Sequence, residues 1–263
     1  MAKIFAIANQ KGGVGKTTTT VNLAAALARC RKRVLLVDMD PQGNATMASG
    51  ISKSELEKSV LEVLLNEIPA QQAILKSEAG LYDLLPANSD LTAAELDLLN
   101  ELMREQRLSN ALATVSANFD FILIDCPPSL NMLTLNALVA ATGVIIPVQC
   151  EYFALEGLSD LVRTIKKVAG VANPGLHIEG IVMTMYDIRN TLTIDVGKQL
   201  KQYFGDKLYR TQIPRNVRLA EAPSHGEPIF NYDPASKGAV AYFGLAGEVI
   251  RRTKSDLLEK GAI

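Results

Sequence analysis

Tryptophan is absent from this chain of 263 residues, and cysteine and histidine are scarce. An odd number of scattered cysteines is typical of reduced thiols in a cytoplasm and argues against a disulfide framework. Two histidines are too few for a metal site built from histidine. The three cysteines are Cys30, Cys126 and Cys150.

Long apolar runs are missing as well. None reaches the roughly 18 residues of a membrane-spanning helix, and the run Ile4–Ala8 is too short for a signal peptide. Apolar residues nevertheless make up 48% of the chain and charged residues 21%, which excludes a disordered protein. The composition predicts a globular cytoplasmic protein.

The net charge of −1 is unevenly distributed. Residues 51–110 carry 5 Lys/Arg against 11 Asp/Glu, whereas residues 184–254 carry 11 against 7. An anionic partner is therefore expected to bind the last third of the chain, although a solvated surface with uneven ion pairs gives the same counts.

Short β-branched segments alternate with helical patterns along the chain. Strands are predicted at residues 4–8, 34–38, 81–86, 121–125, 144–149, 177–183 and 208–213, and helices near 16–30, 54–66, 91–115, 130–141, 154–169, 191–204 and 236–259. Several strands are apolar on both faces, as in a parallel sheet covered by helices on both sides. The alternating order of strands and helices predicts a single α/β domain over 1–263, with a doubly wound, mostly parallel sheet. The acidic segment near 51–115 is predicted to be a helical insertion in this domain.

A phosphate-binding loop follows the first predicted strand, because residues 10–18 read QKGGVGKTT and precede a helix. Glycines let the backbone wrap around phosphate, and the helix N-terminus adds partial positive charge. Lys16 is expected to reach the β- and γ-phosphates of ATP, and Thr17 to bind Mg²⁺. The nucleotide-binding residues predicted here are Lys11, Gly12, Gly13, Val14, Gly15, Lys16, Thr17 and Thr18.

This loop departs from the ordinary pattern at two positions. Gln10 replaces the first glycine, and Lys11 adds a second lysine inside the loop. The loop therefore resembles the deviant Walker A motif. In that family the additional lysine crosses a dimer interface to the nucleotide of the partner subunit, which predicts a catalytic role for Lys11 beside Lys16.

Three carboxylates end predicted strands, where ligands bind in open parallel sheets. Asp125 has the pattern of a Walker B aspartate and is predicted to hold Mg²⁺ through water. Asp40 is predicted to position the attacking water and to face the same ion. Asp38 is expected to hydrogen-bond the phosphate loop.

These motifs and two others resemble the ParA/Soj family of partition ATPases over nearly the whole chain. The motifs span residues 11–18, 37–44, 125–129, 149–157 and 213–224. The resemblance implies weak ATPase activity, an ATP-dependent homodimer that binds double-stranded DNA without sequence preference, and a ParB/Spo0J-type partner that stimulates hydrolysis. It further implies association with the nucleoid and a role in chromosome or plasmid partition.

The resemblance also assigns residues outside the loop. Pro214 and Asn216 match family positions that contact adenine, and Met185 matches one near the base. Arg215, between Pro214 and Asn216, is predicted to bind the nucleotide with them. Arg189 and Arg218 match family arginines that are needed for DNA binding.

The sequence itself adds further basic residues to the predicted DNA site. Lys198, Lys201, Arg251 and Arg252 lie in the same basic third, where phosphate-neutralising side chains suffice for nonspecific binding. Each of them could equally lie on a solvated face.

Two other classes share the deviant loop. A MinD-like membrane-cycling ATPase for division-site placement needs a terminal amphipathic helix, but residues 248–263 lack an aromatic and contain Gly261. Val249, Ile250, Leu257 and Leu258 are instead expected to pack on the body. An iron–sulfur carrier needs suitably placed cysteine pairs, which Cys30 and Cys126 do not provide.

Overall fold

The computed structural model describes residues 2–98 and 101–260, without the side chains of residues 95, 96 and 255–260. Eight strands form one sheet in the order β3-β4-β2-β5-β1-β6-β7-β8. All neighbours are parallel except β3 and β4. The strands are β1 (Lys3–Ile7), β2 (Val34–Asp38), β3 (Leu75–Ser77), β4 (Tyr82–Leu85), β5 (Phe121–Asp125), β6 (Gly143–Gln149), β7 (His177–Tyr186) and β8 (Leu208–Pro214).

Helices cover both faces of this sheet. They are α1 (Lys16–Arg29), α2 (Asn44–Ala48), α3 (Val60–Leu64), α4 (Ala70–Ala73), α5 (Leu91–Leu98), α6 (Arg107–Ala113), α7 (Met132–Ala140), α8 (Ala154–Val171), α9 (Thr191–Phe204), α10 (Val217–Glu221), α11 (Ile229–Tyr232) and α12 (Lys237–Lys260). One apolar core joins α1, α2 and α10–α12 to one face, and a second joins α3–α9 to the other. The predicted fold class is thus confirmed.

Alternate residues of the central strands enter opposite cores, because successive side chains of a strand point to opposite faces. On β5, Ile122 and Ile124 lie in one core, while Phe121 and Leu123 lie in the other. Burial on both faces explains why these strands read as uninterrupted apolar runs.

The acidic segment 51–115 differs from its prediction. Besides helices it contains the strand predicted at 81–86, which is β4, and a further strand, β3, and both extend the sheet beyond β2. β3 was not predicted because it has only three residues, two of them exposed. The helix predicted at 54–66 begins only at Val60, where Ser59 and Glu62 form a capping box. The helix predicted at 91–115 is two helices, α5 and α6.

At the far end of the sheet, α12 covers the outer strand. β8 is irregular where it pairs with β7, and the carboxylate of Glu248 accepts hydrogen bonds from the backbone nitrogens of Arg210 at 3.0 Å and Thr211 at 3.1 Å. Arg252 donates to the carbonyl of Leu208 at 3.0 Å. These contacts satisfy backbone groups that an open strand edge would expose.

The last helix packs on the body. Val249 is fully buried and Ile250 is partly buried against the same core, as expected from the sequence. Leu257 and Leu258 lie outside the described side chains, and Gly261 lies outside the described residues. Within 2–98 and 101–260, no helix combines the length and the apolar character needed to cross a bilayer.

Candidate nucleotide site

The phosphate loop joins β1 to α1 at the carboxyl edge of the sheet. Gly13 and Gly15 have φ angles of 72° and 85°, in the left-handed region where a side chain would be strained. Lys16 begins α1 and is 8% exposed, and its Nζ donates to the carbonyl of Lys11 at 3.2 Å. Burial lowers the pKa of Lys16, which the charge of Asp125 opposes. The loop therefore holds a lysine ammonium at the place where a P-loop binds phosphate.

Asp125 ends β5, directly beside β1, and is fully buried. Its two carboxylate oxygens accept hydrogen bonds from Thr17 Oγ1 and Thr20 Oγ1, each at 2.8 Å. Burial raises the pKa of Asp125 to about 6, although both hydroxyl groups favour the charged form. A hydroxyl and a carboxylate in contact, beside a phosphate loop, fit a hydrated Mg²⁺.

The three predicted carboxylates lie close together, but Asp38 does not bond the phosphate loop as expected. Its carboxylate accepts from the backbone nitrogen of Asp40 at 3.1 Å, and from the nitrogen and Oγ1 of Thr46 at 2.9 and 2.8 Å. Burial and the neighbouring charge of Asp125 raise its pKa well above the usual range. Asp38 therefore fixes the loop that carries Asp40 in place of binding the P-loop.

Asp40 itself is almost buried, with 9% exposure, and one of its oxygens accepts from the backbone nitrogen of Gln42 at 2.9 Å. Its charge acts on both Lys16 and Asp125. Within the described chain, no group of three or more His, Cys, Asp or Glu is arranged to hold a metal ion. This agrees with Mg²⁺ sites that rely on one or two carboxylates together with substrate phosphates.

A pocket of about 360 Å³ lies beside the loop. Gly15 and Thr18 of the loop line it, together with the four nucleotide-binding residues predicted outside the loop and six further residues. The four predicted residues are Met185, Pro214, Arg215 and Asn216. Thr184, which the sequence did not single out, anchors the wall by donating from Oγ1 to the carbonyl of Val14 at 2.8 Å. The structure thus brings the predicted base contacts to the phosphate loop from the ends of β7 and β8.

The second lysine of the loop, Lys11, does not line this pocket. Lys11 Nζ lies 2.6 Å from the carboxylate of Glu151, just beyond β6, and both side chains are about half exposed. Next to this ion pair, Tyr152 and Phe153 are exposed and their rings meet edge to face. Glu151 lies within the motif 149–157, to which the sequence assigns no site residue, although a position directly after a strand at the carboxyl edge favours a role at the site.

Comparison with known proteins decides the family. A family profile described as an AAA domain matches residues 2–178. Soj of Bacillus subtilis is 54% identical over 249 residues, which cover 95% of this chain and 98% of that protein. The chromosome partitioning protein ParA of Caulobacter vibrioides is 50% identical over 254 residues, covering 96% and 95%. The chain belongs to the ParA/Soj family.

A solved structure has the same fold as this chain over nearly its whole length. Cobyrinic acid a,c-diamide synthase from Mycobacterium smegmatis, determined with an ATP analogue and magnesium, has a TM-score of 0.86 and 41% identity, with 97% of each chain covered. This likeness agrees with the P-loop fold described above.

The basic residues predicted to bind DNA form two groups. Arg189 follows β7 and Arg218 lies in α10 after β8, so both belong to the carboxyl edge that holds the ParA/Soj phosphate loop. Both are exposed, and each is paired with a neighbouring acid: Arg189 with Asp187 at 2.8 Å, and Arg218 with Glu221 at 2.9 Å. Lys198 is exposed on α9 between the two edges.

The remaining three predicted DNA contacts lie near the opposite, amino edge. Lys201 and Arg251 line a recess at the starts of β7 and β8. Arg252 lines it too, but is only 22% exposed, because its guanidinium bonds Glu248 at 3.0 Å and stacks on the ring of Tyr209. The six residues therefore do not form a single patch, and the role of each in DNA binding stays a prediction.

The cysteines have the surroundings of core residues. Cys126 and Cys150 are buried, and burial raises the pKa of both thiols above the usual value. Cys30 is partly exposed at the end of α1. Buried thiols with raised pKa values are poor nucleophiles and poor metal ligands, so no observation favours iron–sulfur or thiol chemistry.

Proposed function

We propose that this chain is an ATP-dependent dimerising switch that drives chromosome or plasmid partition in the cytoplasm. The observation that carries the proposal is the orientation of Lys11. The loop already has Lys16 for its own phosphates, whereas the ammonium of Lys11 is held outward on the exposed edge by Glu151. A lysine in that position is available to a second subunit.

ATP would bind with its phosphates on the loop and its base in the 360 Å³ pocket. Lys16 would neutralise the phosphates, while Thr17 and, through water, Asp125 would hold Mg²⁺, which stabilises charge on the transferring phosphoryl group. The pair Thr17–Asp125 is already in contact, so the site requires little reorganisation.

Hydrolysis would depend on Asp40. Asp38 and Gln42 fix its loop, so that its carboxylate is preorganised beside Lys16 and Asp125. A ParB/Spo0J-type partner would stimulate this weak activity and return the protein to monomers. Lys11 of the second subunit would supply charge to the transition state across the interface.

DNA would bind the dimer through Arg189 and Arg218, with Lys198 nearby. A dimer presents twice as many cations as a monomer to one duplex, so affinity for phosphate rises steeply on dimerisation. Both arginines lie on the edge that holds the nucleotide. ATP would thus control nucleoid binding without any readout of bases.

The decisive experiment compares two lysine variants. Lys16→Ala should lose ATP binding, because the phosphates lose their principal cation. Lys11→Ala should retain ATP binding but fail to dimerise when ATP is added, as measured by light scattering. Full ATP-dependent dimerisation of Lys11→Ala would refute the proposed role across the interface.

DNA binding is tested with Arg189→Ala combined with Arg218→Ala. This variant should bind ATP and dimerise normally, while its DNA affinity falls and its salt dependence becomes shallower by about one unit per lost phosphate contact. Arg163→Ala is a matched control, because Arg163 is also an exposed arginine paired with an acid three residues away, but on α8. Unchanged affinity and slope in the double variant would remove both arginines from the DNA site.

The MinD-like alternative predicts ATP-dependent binding to lipid vesicles. The described part of α12 offers little for this, since Val249 is buried and Ile250 partly buried against the core. Co-sedimentation with anionic vesicles, with and without ATP, distinguishes the two functions. Binding to vesicles but not to DNA would favour the alternative.

A further inference from the structure

A cavity lies at the amino edge of the sheet, at the opposite ends of the strands from the phosphate loop. Its volume is about 690 Å³, within the range of small-molecule sites. The starts of β1, β7 and β8 form its floor, and α9 and α12 its sides. It is lined by Lys3, His177, Glu179, Lys201, Asp206, Lys207, Leu208, Arg210, Glu248, Arg251 and Arg252.

Positive charge dominates this recess. Six lysines and arginines line it against three acids, although the whole chain has a net charge of −1. Two of the acids are already engaged: Glu248 accepts from two backbone nitrogens and from Arg252, and Glu179 lies 3.3 Å from His177 Nε2. The lining as a whole carries three more basic than acidic side chains.

Part of the lining is also rigidly held. The guanidinium of Arg252 donates to Glu248 and to the carbonyl of Leu208, each at 3.0 Å. The guanidinium carbon, Cζ of Arg252, lies 4.1 Å from the centre of the Tyr209 ring. A guanidinium fixed in this way loses little conformational entropy when an anion binds. Lys201, Lys207 and Arg210, which are exposed, can adjust around a ligand.

We propose that this recess binds a compact anion with several charges, of the class formed by short polyphosphate chains and the phosphate groups of small metabolites. Its concave shape suits a small ligand, whereas duplex DNA presents its phosphates along an extended backbone that follows open surfaces. The cations converge from four separate elements on one volume, as they do in a polyanion site. Lys201, Arg251 and Arg252 would then serve this ligand and not DNA.

The probe is inorganic tripolyphosphate in magnesium-free buffer, titrated by calorimetry into the wild type and into Lys16→Ala. The Lys16 variant removes the principal cation of the P-loop, which could itself bind a triphosphate. We expect one tripolyphosphate per chain in Lys16→Ala. Loss of all binding in that variant would place the ligand in the nucleotide site and overturn the proposal.

The two histidines give a site-specific readout in the same titration. His177 lines the recess, whereas His225 lies at the other edge and stacks on Tyr232. In the NMR spectrum of histidine rings, tripolyphosphate should move the His177 signals and leave those of His225 in place. Unmoved His177 signals at saturating tripolyphosphate would refute binding in the recess.

Paired lysine variants complete the test. In the Lys16→Ala background, Lys201→Ala with Lys207→Ala should weaken tripolyphosphate binding at least about tenfold, since two cations are lost from the site. Lys166→Ala with Lys167→Ala on α8 is the matched control and should leave binding unchanged. Equal weakening in both pairs would mean nonspecific attraction. If a DNA duplex displaces tripolyphosphate and moves His177 in the same way, the recess is a nucleic acid site and the proposal fails.

Discussion

Breaking the Lys11–Glu151 ion pair should make ATP-dependent dimerisation easier. If Lys11 must leave Glu151 to reach the second subunit, each subunit gives up this pair when the dimer forms. Glu151→Gln removes the negative charge but keeps the size of the side chain and its ability to accept a hydrogen bond. Lys11 would then be released without a change in the phosphate loop.

The size of the effect follows from the exposure of the pair. The distance of 2.6 Å is short, but the side chains are 41% and 47% exposed, so solvent screens the attraction. Pairs of this kind contribute about 0.2–1 kcal/mol. Two pairs break per dimer, which gives about 0.4–2 kcal/mol, or roughly a 2- to 30-fold lower dissociation constant.

Analytical ultracentrifugation with a non-hydrolysable ATP analogue measures this constant directly. Asp195→Asn is the control, because it breaks another exposed ion pair, that with Lys198 on α9, and leaves Lys11 and Glu151 unchanged. The control should dimerise like the wild type. The effect should also shrink at high salt, which already screens the pair.

A weaker dimer in Glu151→Gln would refute this reasoning. It would show that the carboxylate contributes more to the assembled interface than it does to holding Lys11 in the monomer. An unchanged constant would mean that the pair survives in the dimer, and Lys11 would then not cross to the other subunit.

Three further predictions concern the buried carboxylates. Thr20→Val keeps the shape of a fully buried residue but removes one of the two hydroxyl groups that bond Asp125, so chemical denaturation should show a loss of about 1–3 kcal/mol in the free energy of unfolding. Asp40→Ala should retain ATP binding and the dimer but lose phosphate release, because only the transition state needs a positioned water; turnover at the wild-type rate would assign this role elsewhere. Because burial raises the pKa of Asp125 to about 6 and Mg²⁺ favours its charged form, Mg²⁺ affinity should be level above that pH and fall by up to tenfold per unit below it, as measured by Mg²⁺ titration. Asp125→Asn should abolish that pH dependence.

The sequence alone predicted those parts of the site whose residues are contiguous in the chain. The loop Lys11–Thr18 sits between a short apolar strand and a helix, so its phosphate-binding geometry follows from contiguous residues. The same holds for Asp125, since a carboxylate after a fully apolar strand must lie at the carboxyl edge of a parallel sheet. Fold class followed too, because strands buried on both faces alternate with helices.

Contacts between distant segments were decided only by tertiary structure. Glu151 pairs with Lys11 across 140 positions, and Thr184 anchors Val14 across 170, and no local pattern encodes either distance. Asp38 was misjudged for the same reason: its partner Thr46 lies on a helix that the sequence did not reveal.

The arrangement of basic residues on the surface shows most clearly what the sequence alone does not predict. In sequence, Arg189 and Lys201 are twelve positions apart and look like members of one basic patch. Most of the chain between them is helix α9, which rises about 1.5 Å per residue. The two residues therefore lie near opposite edges of the sheet. Counting charges along the chain predicts that anions bind this third of the protein, but only the direction of the helix and strands decides that the cations form two surfaces.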